Sequence, residues 1–395
     1  MKAVANQKNT HTLWLDGLRG IGAVQVCLHH LLEQFPSVSL GVFSILSDGP
    51  LAVFIFFCIR GYVLAGWSNK PNIPVPKLIF ARCIRLFIPA AIAVLLAFLL
   101  GTMLCFFYPN AIKILPIWGG YIPSEKYNLI FSVFKNSISD IFLYVPILGH
   151  RDGSFFINFP YIGNYVHNHI FTLPVLWTIS TEFYGSVLIV LVTYLKIKLP
   201  NAAHEYLLLL IGFLTLRSLL FPFVLGYVLS HWKEFELFRN LKYLSLFLIL
   251  TSFVITTDAS NGRFYELFEH IARVSYSIPA QSTYSVQKAF AAIVIFFAIL
   301  ISPTARSYLS STPCLFLGKI SFPLYLTHSP LIMVFAFIRE LISNYGFNNL
   351  LAIVIAFIIY ICSVGISCWI FLFIDRWSIN LSRTYLQPKQ VKTVL

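Results

Sequence analysis

The sequence predicts an all-α fold: a polytopic membrane helical bundle of about ten transmembrane helices. Composition is the first observation, with 58% hydrophobic residues, 11% charged residues and a mean hydropathy of +0.79. A soluble domain averages about 45–50% apolar and 25% charged residues. The second is that apolar runs of about 20 residues, enough to cross the hydrocarbon core, recur along the whole chain. The third is the excess of Phe (38) and Tyr (20), whose rings pack in lipid and anchor at its interfaces.

The runs lie near 14–32, 49–67, 86–108, 172–195, 242–257, 287–304, 314–335 and 350–373. One stretch, "HEYLLLLIGFLTLRSLLFPFVLGYVLSHW" at 204–232, is long for one crossing and short for two. Cytoplasmic loops are enriched in Lys and Arg, and this rule decides between the two readings. Lys2, Lys8, Lys70, Lys77, Arg82, Arg85, Lys196 and Lys198 fall on one side after alternate crossings. A hairpin turning near Arg217 brings Lys233, Arg239, Lys242, Arg306, Lys319, Arg376 and Arg383 to that side as well. Both termini are then cytoplasmic.

The net charge of +13 is spread between apolar runs and forms no basic stripe, so no nucleic-acid partner is expected. The seven cysteines lie in or beside apolar runs, without zinc-ligand spacing or a disulfide framework. Arg19 within the first apolar run argues against a cleaved signal peptide. No internal repeat or soluble domain is seen, so residues 1–395 are expected to form one membrane domain. Its one long non-membrane segment, 109–171, is read as an ordered outer loop region.

Ionisable groups inside a span are costly and mark function. Counting 1.5 Å per residue from the cytoplasmic ends puts Arg19 about 7 Å deep and Arg60 about 10 Å deep. Arg82 and Arg85, in "RCIRLFIP", sit at the cytoplasmic mouth of the third span. Four guanidiniums, the side chains suited to bidentate phosphate recognition, thus converge on the cytoplasmic half. The same count places His30 about 24 Å, Glu182 about 21 Å and His328 about 15 Å deep. Two imidazoles and a carboxylate are therefore expected to meet above the arginines, along a tunnel entered by an anionic substrate. Simpler readings stand beside this one. Arg19 has Asp16 one turn away, Trp177 and His328 suit packing, and Ser321, Tyr325 and His328 suit interhelical hydrogen bonding.

"LDGLRGIGAVQVCLHH" resembles the opening motif of the acyltransferase-3 family of integral-membrane O-acyltransferases. That motif is an arginine, ten residues and a histidine, matched here by Arg19 and His30 and not by His29. "FFCIRGYVLAGW" resembles the family's second span, "RCIRLFIP" its paired arginines and "LWTISTEF" its Trp/Glu span. "LGKISFPLYLTHSP" resembles its late Gly–Ser–Tyr–His segment, and "FIDRWSINLSR" its terminal acidic motif at Asp375. The matches keep their order from residue 15 to 383 and are closest to fungal-type members. In two places the chain departs from the pattern: Arg60 stands where a serine usually precedes the glycine, and the region from Glu182 to Gly226 is short.

The resemblance implies acyl transfer, typically of acetyl, from cytoplasmic acyl-CoA to a hydroxyl of a sugar, lipid or secondary metabolite. In that reading Arg19, Arg60, Arg82 and Arg85, with Trp177, hold the donor, and His30 is the general base. Glu182 orients or charge-stabilises the imidazole, Ser321 or Tyr325 polarises the carbonyl, and His328 completes the catalytic group. No metal is implied. The membrane would be that of the endoplasmic reticulum or the plasma membrane. A proton-coupled transporter or flippase, or an inactive scaffold of the same family, are the alternative readings.

Overall fold

Apolar runs become helices in the computed structural model because a backbone in hydrocarbon must satisfy its hydrogen bonds within its own segment. The structure describes residues 12–35, 41–66, 73–107, 175–232, 242–257, 262–274, 283–346 and 348–386. Twelve α-helices and no strands occur among them. They are α1 (Leu13–Leu32), α2 (Gly49–Leu64), α3 (Val75–Phe107), α4 (Leu176–Lys198), α5 (Asn201–Thr215) and α6 (Phe221–His231). Then come α7 (Lys242–Thr257), α8 (Arg263–Val274), α9 (Thr283–Ile301), α10 (Pro303–Leu309), α11 (Thr312–Asn344) and α12 (Asn349–Leu386). The expected outer segment 109–171 lies outside the described residues, as do most of the basic 233–242 loop and the termini at 1–11 and 387–395.

Five of these helices are long and apolar enough to cross a membrane by length and composition. They are α3, α4, α9, α11 and α12, and α11 and α12 run well beyond their expected limits. Buried residues make up 78% of the most apolar window of α11 but only 17% of that of α12. α11 is therefore the central post of the bundle, and α12 shows most of its surface to the surroundings.

Side-chain contacts fix the helix directions. α1 and α11 run parallel, since Arg19 reaches Ser321 near their starts and His30 stacks on His328 further along. Gly20 and Gly318 sit at this crossing, and a methyl added to either would collide with the partner's backbone. Small residues are what allow helices to approach so closely. α9 runs the opposite way: Phe296 near its end packs on Trp14, and Lys288 near its start meets Asp48 before α2. α12 returns toward the start of α3, where Tyr385 meets Phe80 at 4.9 Å between ring centroids.

The 204–232 stretch does fold back on itself. α5 and α6 are separated by a break at 216–220, and the His204 ring near the start of α5 lies 6.3 Å from Tyr227 near the end of α6. Arms of 15 and 11 residues are only about 22 and 16 Å long. Phe223, fully buried at the start of α6, stacks on Phe57 of α2 and lies against Gly185 of α4.

Three elements lack a counterpart in the expected spans: a 3-10 turn, α8, and the seven-residue α10 between α9 and α11. A 3-10 turn at Gly41–Ser47 leads into α2, whose first turn is capped by Asp48 accepting from Leu51 N at 3.0 Å. α8 is a short amphipathic helix, and its Phe268 packs on Phe290 of α9. One buried ion pair braces the bundle away from the arginines. Lys288 Nζ donates to Asp48, to the Thr256 carbonyl at 2.6 Å and to the Thr256 hydroxyl at 2.8 Å. Every donor of that ammonium is thereby engaged, as burial of a charge requires.

Candidate functional site

Two cavities share Arg19. The larger, about 630 Å³, is bordered by the starts of α1 and the ends of α2, α4 and α6, and Asp16, Arg19, Tyr62, Lys196 and His231 are among its walls. The smaller is a partly open chamber with about 40 Å³ of free space, lined by Arg19, Arg60, Thr178, Glu182, Ser321 and Tyr325 with apolar neighbours. A vestibule of the first size suits a small molecule, whereas the chamber has room for only a few waters.

Inside the bundle, cations converge on one carboxylate. Glu182 Oε1 is bound by Arg82 Nη2 at 2.6 Å and by Arg60 Nε at 3.0 Å. Arg82 also donates from Nε to Ser186 Oγ at 3.0 Å. Arg19 pairs with Asp16 at 3.0 Å and points its other terminal nitrogen at Ser321 Oγ, 3.4 Å away. Arg85, one turn beyond Arg82, is close enough to Arg19, Arg60, Glu182 and Asp375 to feel their charges. The four expected arginines are therefore brought together. The chamber's own ionisable walls are two guanidiniums, Arg19 and Arg60, and one carboxylate, Glu182, an excess of positive charge.

The geometry corrects the grouping of Glu182 with the histidines. Helix-rise counting locates backbones, but the long Arg60 and Arg82 side chains reach across the remaining depth. A buried carboxylate needs such partners. The same finding accounts for Arg60, whose acid lies far away in sequence, on α4.

From the chamber wall onward, α11 presents Ser321, Tyr325 and His328 at i, i+4 and i+7, one helical face. Ser321 spends its hydroxyl proton on Gly318 O at 2.8 Å. Thr178 donates to Val175 O at 2.8 Å, so its 2.6 Å contact with Tyr325 is donated by the tyrosine. Both hydroxyls expected to polarise a carbonyl thus have their protons committed in this arrangement. Trp177 packs, partly buried, against the core beside Thr178.

His328 is fully buried. Its Nδ1 donates to Leu324 O at 3.1 Å, which leaves Nε2 as a bare acceptor, and that atom has no hydrogen-bond partner. The His328 ring stacks on His30 at 5.5 Å and 21°. His30 in turn holds Glu33 Oε2 through Nδ1 at 2.9 Å. With Nδ1–H donated to a carboxylate, Nε2 of His30 is free to accept a proton. Glu33 is the residue that sequence reasoning missed. Its i,i+3 spacing from His30 at the end of an amphipathic run was the available signal.

His29 points a different way: its Nδ1 donates to the Ser47 carbonyl at 2.9 Å, and its Nε2 lies 3.5 Å from Glu33 Oε1. Lys196 and His231, read from the sequence only as a topology signal and a span residue, are walls of the vestibule.

Comparison with known proteins puts the chain in a family. A fungal protein described as O-acetyltransferase PaAT-1, from Phomopsis amygdali, is 37% identical over 103 aligned positions, covering 20% of this chain and 21% of that protein. The chain thus matches about a fifth of the curated relative's length. No solved structure matches significantly. The family model described as "Acyltransferase domain" matches residues 12–372, nearly the whole chain, and on that match the chain belongs to the acyltransferase-3 family.

Proposed function

We propose that the protein transfers an acyl group, acetyl above all, from acyl-CoA to a hydroxyl of a small-molecule, glycan or lipid acceptor, with His30 as the general base. One observation carries the reading. Arg19 and His30 line the same α1–α11 seam, one at the junction of vestibule and chamber, the other with Nδ1 held by a carboxylate and Nε2 free.

Coenzyme A carries its phosphates at one end and its thioester on a long thin arm. The phosphates would lodge in the vestibule among Arg19, Lys196 and His231, and the arm would extend along α11 toward His30. The 40 Å³ chamber is too small for that arm. Donor entry therefore parts Arg60 from Glu182, and the donor's own negative charge offsets the loss of the pair.

In the transfer step the acceptor oxygen attacks the thioester carbonyl carbon while His30 Nε2 takes its proton. The oxyanion then collapses, the C–S bond breaks, and the proton passes from His30 to the departing thiolate. Glu33 holds the ring in the tautomer this requires and balances its transient positive charge, as the acid does in a triad. Ser321 and Tyr325 commit their protons to Gly318 O and Thr178, so neither hydroxyl is assigned to the oxyanion in this reading.

The vestibule face is assigned to the cytoplasm, where acyl-CoA is made. The experiment is release of free CoA thiol from acetyl-CoA by the purified protein, alone and with metabolite extracts as acceptor source. Acyl transfer that vanishes with His30→Ala supports the reading; wild-type protein that moves a solute across proteoliposomes without consuming acetyl-CoA refutes it.

A further inference from the structure

At the end of α1, away from the vestibule, His29, His30 and Glu33 bring their ligand atoms within 4.8 Å of one another. We propose that His29 Nε2, His30 Nδ1 and the Glu33 carboxylate form a site for a zinc-class divalent cation, and that its occupancy switches His30 off. This departs from the expectation of a metal-free protein, and its second half rests on the reading of His30 as base.

The donor set is two imidazoles and a carboxylate, which suits Zn2+ far better than Mg2+ or Ca2+. Ligands around a tetrahedral zinc sit about 3.3 Å apart. Here Glu33 Oε1 is 3.5 Å from His29 Nε2, and Oε2 is 2.9 Å from His30 Nδ1. His29 is already in the ligating tautomer, because its Nδ1–H is given to the Ser47 carbonyl. Metal-bound histidines typically anchor their other nitrogen in this way. The histidines are partly exposed and Glu33 is exposed, so an ion can reach the site and a water can fill the fourth position.

The consequence for His30 follows from proton positions. Without metal, the proton sits on Nδ1, facing Glu33, and Nε2 carries the free lone pair. A metal on Nδ1 requires that lone pair there, so the proton moves to Nε2. No net proton is gained or lost by the ring. Nε2 then donates and cannot accept, and the acceptor hydroxyl loses its base. Zinc from the face opposite the vestibule would act as a reversible brake on transfer.

The test uses the full chain purified in detergent and stripped with EDTA, with Co2+ as a spectroscopic probe and Zn2+ as inhibitor. His29→Asn is the key variant, since its amide keeps a donor for the Ser47 carbonyl while removing the Nε2 ligand. Wild type should bind one Co2+ with the intense visible bands of tetrahedral coordination. His29→Asn should bind it about 10–100-fold more weakly or worse, and should transfer acyl groups normally but resist Zn2+. Equal Co2+ binding by the two proteins, or only weak octahedral bands in wild type, overturns the site. Tetrahedral Co2+ binding with unimpaired transfer in Zn2+ overturns the switch. The Co2+ spectrum needs no acyl transfer, so it decides the site even if the enzymatic reading fails.

Discussion

Two glutamates compete for one role, and exchanging each for glutamine separates them. Glu33 contacts His30 at 2.9 Å, whereas Glu182 contacts Arg82 at 2.6 Å and Arg60 at 3.0 Å. Glu33→Gln keeps an oxygen to accept the Nδ1–H but removes the charge. A charge-assisted hydrogen bond contributes about 1.5–3 kcal/mol and a neutral one about 0.5–1.5. Glu33 is 46% exposed, so the lower end applies, about 1 kcal/mol or roughly fivefold in kcat. KM for acyl-CoA should not move, because Glu33 lies far from the arginines. Glu182→Gln should behave in the opposite way. It strands Arg60 and Arg82, which are 13% and 4% exposed, and breaking such a buried pair costs about 3–5 kcal/mol. The variant should melt early in detergent, and acyl-CoA should restore it more than it stabilises wild type, because the donor replaces the missing charge. Thermal-shift curves with and without acetyl-CoA, beside kcat and KM, read both effects. A large kcat loss in Glu182→Gln at unchanged KM and stability, with Glu33→Gln fully active, would refute the placement of Glu182 among the cations.

Other expectations follow from the same contacts. Arg19→Ala should raise KM for acyl-CoA about 10- to 150-fold, the value of one lost charge-assisted bond, while Lys196→Ala raises it less and chiefly at low salt. His30→Ala should lower turnover by about 100- to 10,000-fold with donor affinity retained, measured by single-turnover transfer at saturating acetyl-CoA. Lys288→Met should destabilise the fold by about 3–5 kcal/mol by leaving Asp48 buried and unpaired. Adding Asp48→Asn to it should recover most of that loss in the same melting assay. Cysteines placed at Thr12 and Gly66 should label from one side of the membrane and a cysteine at Tyr345 from the other. Labelling of all three from one side would refute the helix directions.

The spans were legible because each is an apolar run bounded by charge, and α1, α2 and α7 match the expected limits within a few residues. The hairpin was legible only through charge, since hydropathy alone fits one helix as well as two. α8 has no 20-residue apolar run to announce it, being a 12-residue amphipathic helix with Glu266, Glu269 and His270 among its residues. The convergence of four arginines was legible from depth. Their counter-charge was not, because Arg60 and Glu182 are brought together by the α2–α4 packing and no local spacing records it. Glu33 was hidden for the opposite reason: it is so near His30 in sequence that it reads as a polar helix end. The Asp48–Lys288 pair joins residues 240 apart, with nothing in either neighbourhood to announce it.

In the proposed reading, the α1–α11 seam is what sets His30 apart from its neighbour His29. Neighbouring residues on a helix point about 100° apart. Only one of the two can therefore continue the line that begins at Arg19. That line is fixed by Gly20 and Gly318, which let α1 settle against α11 closely enough for Arg19 to reach Ser321 and His30 to stack on His328. His29 is rotated toward Ser47 and held there by its carbonyl. A bulkier residue at Gly20, such as valine, would push α1 outward and open both contacts at once. Transfer and donor affinity should then fall together, whereas His30→Ala costs turnover alone. A Gly20→Val protein that folds, binds acetyl-CoA normally and loses only turnover would show that the two ends of the seam are independent, and that the alignment of Arg19 with His30 is incidental.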